Sequence, residues 1–97
     1  MKSISPDDLR RRLTTGAPPF MLDVREREEM ADGVIPGSIN VPMNEVGEHM
    51  RELPTDRDIV VICHLGSRSE RVTRQLNALG YDRAMNLAGG VDAWLRS

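Results

Sequence analysis

The single cysteine of the chain, Cys63, lies between an apolar run and a helix-like segment, in a stretch of small and polar residues. A lone thiol can act as a nucleophile or simply fill space in a core, and its neighbours decide between these roles. Residues 64–69 suit a tight loop that turns several amide N–H groups inward. Such a loop, placed before a helix N-terminus, stabilises a thiolate and binds an oxyanion. The sequence therefore predicts a nucleophilic Cys63 surrounded by backbone amides.

The side chains of this loop add charge and hydroxyl groups to the amides. His64 and Arg68 supply a positive field, and Ser69 could either bind a ligand or cap the following helix. A Cys-His-Asp triad is not favoured, because a ring that directly follows Cys63 need not fold back as a base. The residues that we expect to bind an anion are His64, Leu65, Gly66, Ser67, Arg68 and Ser69.

Two reactions use a cysteine inside a loop of amides, namely phosphoester hydrolysis and sulfur transfer. Cysteine phosphatases place an arginine six positions after the nucleophile, whereas Arg68 follows Cys63 by five positions. The shorter ring favours a sulfur-sized target over a tetrahedral phosphate. A phosphatase or arsenate reductase remains an alternative interpretation.

Cys63 must be positioned by the apolar run before it and the helix after it. Residues 59–62 are four successive apolar residues, which is typical of a strand covered on both faces. Val72, Leu76 and Leu79 follow at helical spacing, and Gly80 stands where a helix would stop. Cys63 is therefore expected at the carboxyl end of a central strand, where α/β sheets bind their ligands.

Helix-like and strand-like segments alternate through the rest of the chain. A first helix should begin at Ser5 and Pro6 and bury Leu9 and Leu13. The last helix should follow Gly89-Gly90, which permit close backbone approach, and bury Val91, Trp94 and Leu95. The pattern also predicts strands at 20–24, 39–41 and 84–87, an exposed helix or turn at 25–32 and a helix at 43–53. We expect one α/β domain over residues 1–97, with a mainly parallel sheet and helices on both faces.

Composition narrows the class of protein. With 97 residues, 39% hydrophobic and 29% charged, the chain is typical of a soluble globular domain. Its 13 basic residues are outnumbered by 15 acidic ones and aromatic residues are scarce, so we expect no nucleic-acid partner. One cysteine and two histidines offer few soft ligands, so we expect no metal and no cofactor.

The compartment follows from the cysteine count and the hydropathy. A single cysteine cannot form an internal disulfide, which is compatible with a reduced environment. Residues 1–6 lack the apolar stretch of a signal peptide, and no segment reaches transmembrane length. The sequence therefore predicts a cytoplasmic protein without membrane contact.

Four blocks, in order along the chain, make this sequence resemble the rhodanese (thiosulfate sulfurtransferase) family in its single-domain form. They read LDVR at 22–25 with Glu29, GVIPGSINVP at 33–42, CHLGSRS at 63–69 and LAGGVDAW at 87–94. Two positions depart from the family pattern: Val34 replaces the usual His before Ile-Pro-Gly, and Met30 replaces an aromatic residue. Both departures lie away from the cysteine loop, so they bear on local packing more than on activity.

The resemblance implies a rhodanese-like fold and a ping-pong sulfur transfer. Cys63 would take the outer sulfur of thiosulfate or of a persulfide donor, and cyanide or a cellular thiol would then accept it. The loop amides would bind the charge of the persulfide, while Arg68 and His64 would attract the anionic donor. A second hypothesis is a persulfide carrier that serves a protein donor or acceptor. Asp23 and Arg25, as supporting residues, are interpreted as a charge pair that fixes neighbouring loops, and a role for Asp23 beside the site stays open.

Overall fold

Five strands form one parallel sheet in the order β1-β5-β4-β2-β3 in the computed structural model, which describes residues 1–97. The mainly parallel sheet predicted from the sequence is confirmed, and all four pairings are parallel. The strands are β1 (Lys2–Ile4), β2 (Phe20–Asp23), β3 (Ile39–Asn40), β4 (Ile59–Ile62) and β5 (Ala84–Leu87).

Three α-helices and two 3₁₀ helices connect these strands. The α-helices are α1 (Pro6–Thr14), α2 (Ser67–Ala78) and α3 (Gly90–Arg96), and the 3₁₀ helices are η1 (Arg27–Asp32) and η2 (Met43–Glu52). Ser5 caps α1 by accepting the Asp8 N–H, with Pro6 in the first turn, as the sequence predicted. None of the helices combines the length and the apolar character needed to cross a bilayer.

The central strand β4 is buried on both faces because it contributes side chains to two separate cores. Val60 and Ile62 pack with residues of α1 and α3 on one face of the sheet. Ile59, Val61 and Cys63 pack with residues of α2 and η2 on the other. Because side chains alternate between the two faces, Cys63, which directly follows β4, lies on the face of the sheet that α2 covers.

Several details differ from the sequence-based expectations. β1 was not predicted, because only Ile4 of its three residues is buried and its pairing with β5 is what makes it a strand. The segment predicted as a helix at 43–53 is a 3₁₀ helix over 43–52, since apolar spacing alone does not distinguish the two over so short a length. Leu79 and Leu95, placed on the apolar faces by their spacing, are 64% and 61% exposed: Leu79 follows the last residue of α2, and Leu95 follows the buried Trp94.

Candidate active site

The thiol of Cys63 lies at the carboxyl end of β4 and is 1% exposed. Two donors point at its sulfur from the loop that follows. The Gly66 N–H donates to Sγ at 3.0 Å, and the Ser69 hydroxyl lies 3.2 Å from the same atom. Hydrogen bonds to a sulfur stabilise its anionic form over its protonated form.

The first residues of α3 hold the two peptide groups that follow β4. The Val91 N–H donates to the Cys63 carbonyl at 2.8 Å, and the Asp92 N–H donates to the His64 carbonyl at 3.0 Å. In a trans peptide the N–H points opposite to the C=O, so the amides of His64 and Leu65 point away from α3. No backbone carbonyl accepts from either amide. Helix α3 thus orients two donors that the rest of the backbone leaves free.

Gly90 permits this close approach. Its φ is +65°, and a Cβ at this position would lie 2.4 Å from both the Cys63 and the His64 carbonyl oxygens. A side chain would therefore push the loop away from α3 and would also strain the backbone. The close approach expected at Gly89-Gly90 is confirmed, and Trp94 is buried in the core as predicted.

Helix α2 brings further amides to the same loop. Gly66, with φ +107°, occupies the N-cap position, so Ser69 does not cap this helix. The N–H groups of Ser67, Arg68 and Ser69 lie in the first turn of α2, so no carbonyl of the helix accepts a hydrogen bond from them. Together with the dipole of a 12-residue helix, they favour negative charge beside Cys63.

Arg68 does not lie free beside the loop, because Glu29 of η1 binds it. The Arg68 Nη1 and Nη2 donate to Glu29 Oε1 and Oε2 at 2.6 and 2.9 Å. This hydrogen bond lowers the pKa of the Glu29 carboxyl from 4.5 to about 2, and the Glu26 N–H adds to the effect. Glu29 also raises the pKa of the Arg68 guanidinium, which stays charged while the carboxylate compensates its positive charge. His64 and Ser67 are exposed.

Asp23 and Arg25 form a buried ion pair at the end of β2. They are 0% and 2% exposed, and the Arg25 guanidinium donates to both carboxylate oxygens of Asp23 at 2.9 to 3.2 Å. Arg25 also donates to the carbonyls of Glu29 and Gly33. The pair therefore fixes the segment that carries Glu29, and the backbone of Asp23 pairs with Ile62, the residue before Cys63.

The cavity beside the loop is small and lined mainly by polar residues. Its volume is about 90 Å³, well below the roughly 300 Å³ at which small-molecule pockets begin. No three side chains of His, Cys, Asp or Glu converge in a way that could hold a metal ion. The cavity is lined by Arg25, Glu29, Asp32, His64, Val91, Asp92 and Leu95.

Comparison with known proteins places this arrangement in a family. The model of the rhodanese-like domain matches residues 5–97. The chain belongs to the rhodanese-like family. A sulfurtransferase of Allochromatium vinosum is 36% identical over 96 residues, which cover 99% of this chain and 90% of that protein. The human thiosulfate:glutathione sulfurtransferase is 33% identical and matches 96% of this chain and 92% of its own.

A solved structure shows the same fold at comparable identity. The rhodanese-like domain protein of Staphylococcus aureus superposes with a TM-score of 0.91 and 35% identity, covering 97% of this chain and 91% of its own. The α/β, rhodanese-like fold predicted from the sequence is confirmed. The relatives support sulfur transfer, from a donor to an acceptor, as the general activity of this rhodanese-like chain.

One residue of this rhodanese-like site was not singled out from the sequence. Asn86 of β5 is 6% exposed, and its Oδ1 lies 2.5 Å from the Ser69 hydroxyl. The signal was present, because Asn86 is the one polar residue in an otherwise apolar four-residue strand. A buried amide in such a strand needs a hydrogen-bond partner, but the sequence does not say which.

Proposed function

We propose that this rhodanese-like domain moves sulfane sulfur from thiosulfate or a persulfide donor to a thiol acceptor through a persulfide on Cys63. The observation that carries the proposal is the set of donors around the Cys63 sulfur. The Gly66 N–H donates to the sulfur, the Ser69 oxygen lies 3.2 Å from it, and the first amides of α2 follow in the chain. The name of the human relative pairs thiosulfate with glutathione, which supports an anionic donor and a thiol acceptor.

The first half-reaction transfers one sulfur atom to the enzyme. The Cys63 thiolate attacks the outer sulfur of thiosulfate, a new S–S bond forms, and the bond to the sulfonate sulfur breaks. Sulfite leaves with that electron pair, and the charge of the persulfide rests on the new terminal sulfur. Donors pointing into the loop stabilise this charge because they are already oriented before the reaction.

The second half-reaction returns the thiolate. An acceptor thiolate, or cyanide in the test tube, attacks the terminal sulfur and forms a new bond to it. The S–S bond to Cys63 breaks, and its electron pair stays on the Cys63 sulfur. The acceptor leaves as a persulfide, or as thiocyanate, and the enzyme is ready for another donor.

A persulfide carrier that serves a partner protein is the second candidate, and the shape of the site favours it. The small cavity beside the loop is lined by His64, Glu29, Asp32 and Asp92 but not by Cys63, so it does not form a pocket around the thiol. Leu65, on the outer part of the loop, is 61% exposed. A protein that presents a persulfide on an extended side chain would reach Cys63 without needing a deep pocket.

We do not extend the proposal to a phosphatase or an arsenate reductase. Those reactions need a guanidinium that clamps the oxygens of a tetrahedral anion, and Arg68 is the arginine placed to do so. Both of its terminal nitrogens are bonded to Glu29 instead.

Intact-mass measurement after incubation with thiosulfate, in the absence of reducing agent, tests the proposal. The wild-type chain should gain the mass of one sulfur atom, and Cys63→Ser should gain nothing. Persulfide transfer from a cysteine desulfurase, together with poor turnover of thiosulfate, would select the carrier over the thiosulfate enzyme. No gain of sulfur from either donor would overturn the proposal.

A further inference from the structure

Behind the cysteine loop lies a chain of three buried polar groups that ends at Asn86, a residue with no role in the proposed reaction. Cys63, Ser69 and Asn86 are 1%, 0% and 6% exposed. The Ser69 Oγ lies 3.2 Å from the Cys63 Sγ, 3.2 Å from the Gly66 carbonyl oxygen and 2.5 Å from Asn86 Oδ1. Ser69, in α2, therefore connects the Cys63 sulfur to the side-chain amide of Asn86 in β5.

The Ser69 hydroxyl has one proton and three neighbours that can accept it. The shortest contact is with Asn86 Oδ1, and a proton committed there is not donated to sulfur. A half-turn of the Asn86 amide exchanges Oδ1 for Nδ2 and leaves the shape of the side chain unchanged. The amide nitrogen can only donate, so the Ser69 oxygen would accept from it and direct its own proton to Sγ.

We propose that Asn86 is a positioning residue for Cys63 and acts by fixing the direction of the Ser69 hydroxyl. When the sulfur is a thiol, Asn86 accepts from Ser69 through Oδ1. When the sulfur carries negative charge, the amide turns and donates to Ser69, and Ser69 donates to the sulfur. Only the S–H bond breaks in this exchange: its electron pair stays on the sulfur, and the thiol proton leaves to solvent.

The position of Asn86 in the sheet supports this role. Its Cα pairs with Val61 in β4, two residues before Cys63, and its side chain meets α2 at Ser69. Ser69 is itself fixed on the backbone side, because the Thr73 hydroxyl donates to its carbonyl at 2.7 Å. With Ser69 fixed in place, its hydroxyl direction is set mainly by what Asn86 presents to it.

The charged groups around Cys63 are the same in every variant that the test compares. On the loop, His64 is exposed and Arg68 is paired with Glu29. The Asp23–Arg25 pair lies at the end of β2, and Asp92 lies at the start of α3. A difference between variants at Ser69 or Asn86 therefore reports the hydrogen-bond chain.

The rate of Cys63 alkylation by iodoacetamide, measured against pH, tests the inference. This role rests on the proposed function, but alkylation reports the thiol whether or not sulfur transfer occurs, so the two can fail separately. Ser69→Ala and Asn86→Leu should each move the alkylation midpoint to higher pH by about half a unit to one unit, the equivalent of one hydrogen bond. The double variant should move it no further than Ser69→Ala alone.

Asn77→Leu is the matched control. This amide of α2 donates to the carbonyls of Tyr81 and Ala84, so its loss should lower the unfolding temperature without moving the alkylation midpoint. If Asn86→Leu does not fold, Asn86→Ala, which only removes atoms, takes its place. Unchanged midpoints in the Asn86 variants, or additive shifts in the double variant, would overturn the inference.

Discussion

The two segments that meet at the active site are fixed by different forces. The cysteine loop, residues 63–66, is held by backbone contacts: α3 donates to two of its carbonyls, and Gly90 lies too close to those carbonyls for a side chain to fit. The acidic segment, residues 26–33, is held by charged side chains, through Arg25 from β2 and Arg68 from α2. The first arrangement should respond to steric change, and the second should respond to charge and pH.

The largest effect should come from Arg25→Leu, which leaves the carboxylate of Asp23 buried without its partner. Removing one member of a buried pair costs about 3–5 kcal/mol of unfolding free energy. Urea unfolding at neutral pH measures it. Arg11→Leu is the control, since Arg11 pairs with Asp8 on the exposed surface and should change stability by less than about 0.5 kcal/mol. Equal losses in the two variants would contradict the account.

Gly90→Ala should have the next largest effect and should act on the cysteine loop directly. The positive φ costs about 1–2 kcal/mol, and the overlap of the new Cβ with two carbonyls adds about 1–3 kcal/mol. Gly80→Ala separates the cost of the positive φ from the cost of steric overlap, because φ there is +98° and no atom lies within 4 Å of an added Cβ. Gly90→Ala, unlike Gly80→Ala, should also slow Cys63 alkylation. An equal alkylation rate in both variants would show that α3 does not orient the loop.

Glu29→Gln should have the smallest effect on stability and the clearest dependence on pH. The side chains of Glu29 and Arg68 are 27% and 33% exposed. Solvent therefore limits the contribution of this ion pair to the unfolding free energy to about 1 kcal/mol. The bond to Arg68 lowers the pKa of Glu29 from 4.5 to about 2, so this stabilisation is complete above the unfolded value and is lost as the pH falls toward about 2.

Urea unfolding of the wild type and of Glu29→Gln, measured from neutral pH down toward about pH 2, checks the direction of this pH dependence. The difference between the two proteins should shrink as the pH falls. At neutral pH the same variant releases Arg68, so its reaction with thiosulfate should become faster and more sensitive to salt. A stability difference that grows in acid would contradict the assignment of the pair.

The sequence predicted the parts of this site that depend on neighbours along the chain. Residues 59–62 indicated a central strand because four successive apolar residues need two covered faces, and both faces are covered. Residues 63–69 were predicted as a loop of amides; residues 63–66 form that loop, but residues 67–69 are the first turn of α2, because Gly66 rather than Ser69 takes the N-cap position. The exposed ends of α2 and α3 were missed, since periodicity alone does not show where a helix outruns the core it packs against.

Contacts between distant residues could not be predicted in the same way. Glu29 and Arg68 are 39 positions apart, and the pairing that neutralises the arginine depends on how η1 packs beside the loop. Ser69 and Asn86 are 17 positions apart and meet because α2 packs against β5. The expectation that Arg68 attracts the donor overlooked a carboxylate that the fold brings to it.

Mass spectrometry with thiosulfate that carries a heavy isotope in its outer sulfur tests the central claim most directly. The account predicts that one labelled sulfur atom is added to each chain, that the label lies on Cys63, and that one sulfite is released for each sulfur bound. Cyanide should then restore the original mass and carry the label away as thiocyanate. Label on another residue, or sulfite release without a gain of mass, would contradict a persulfide on Cys63.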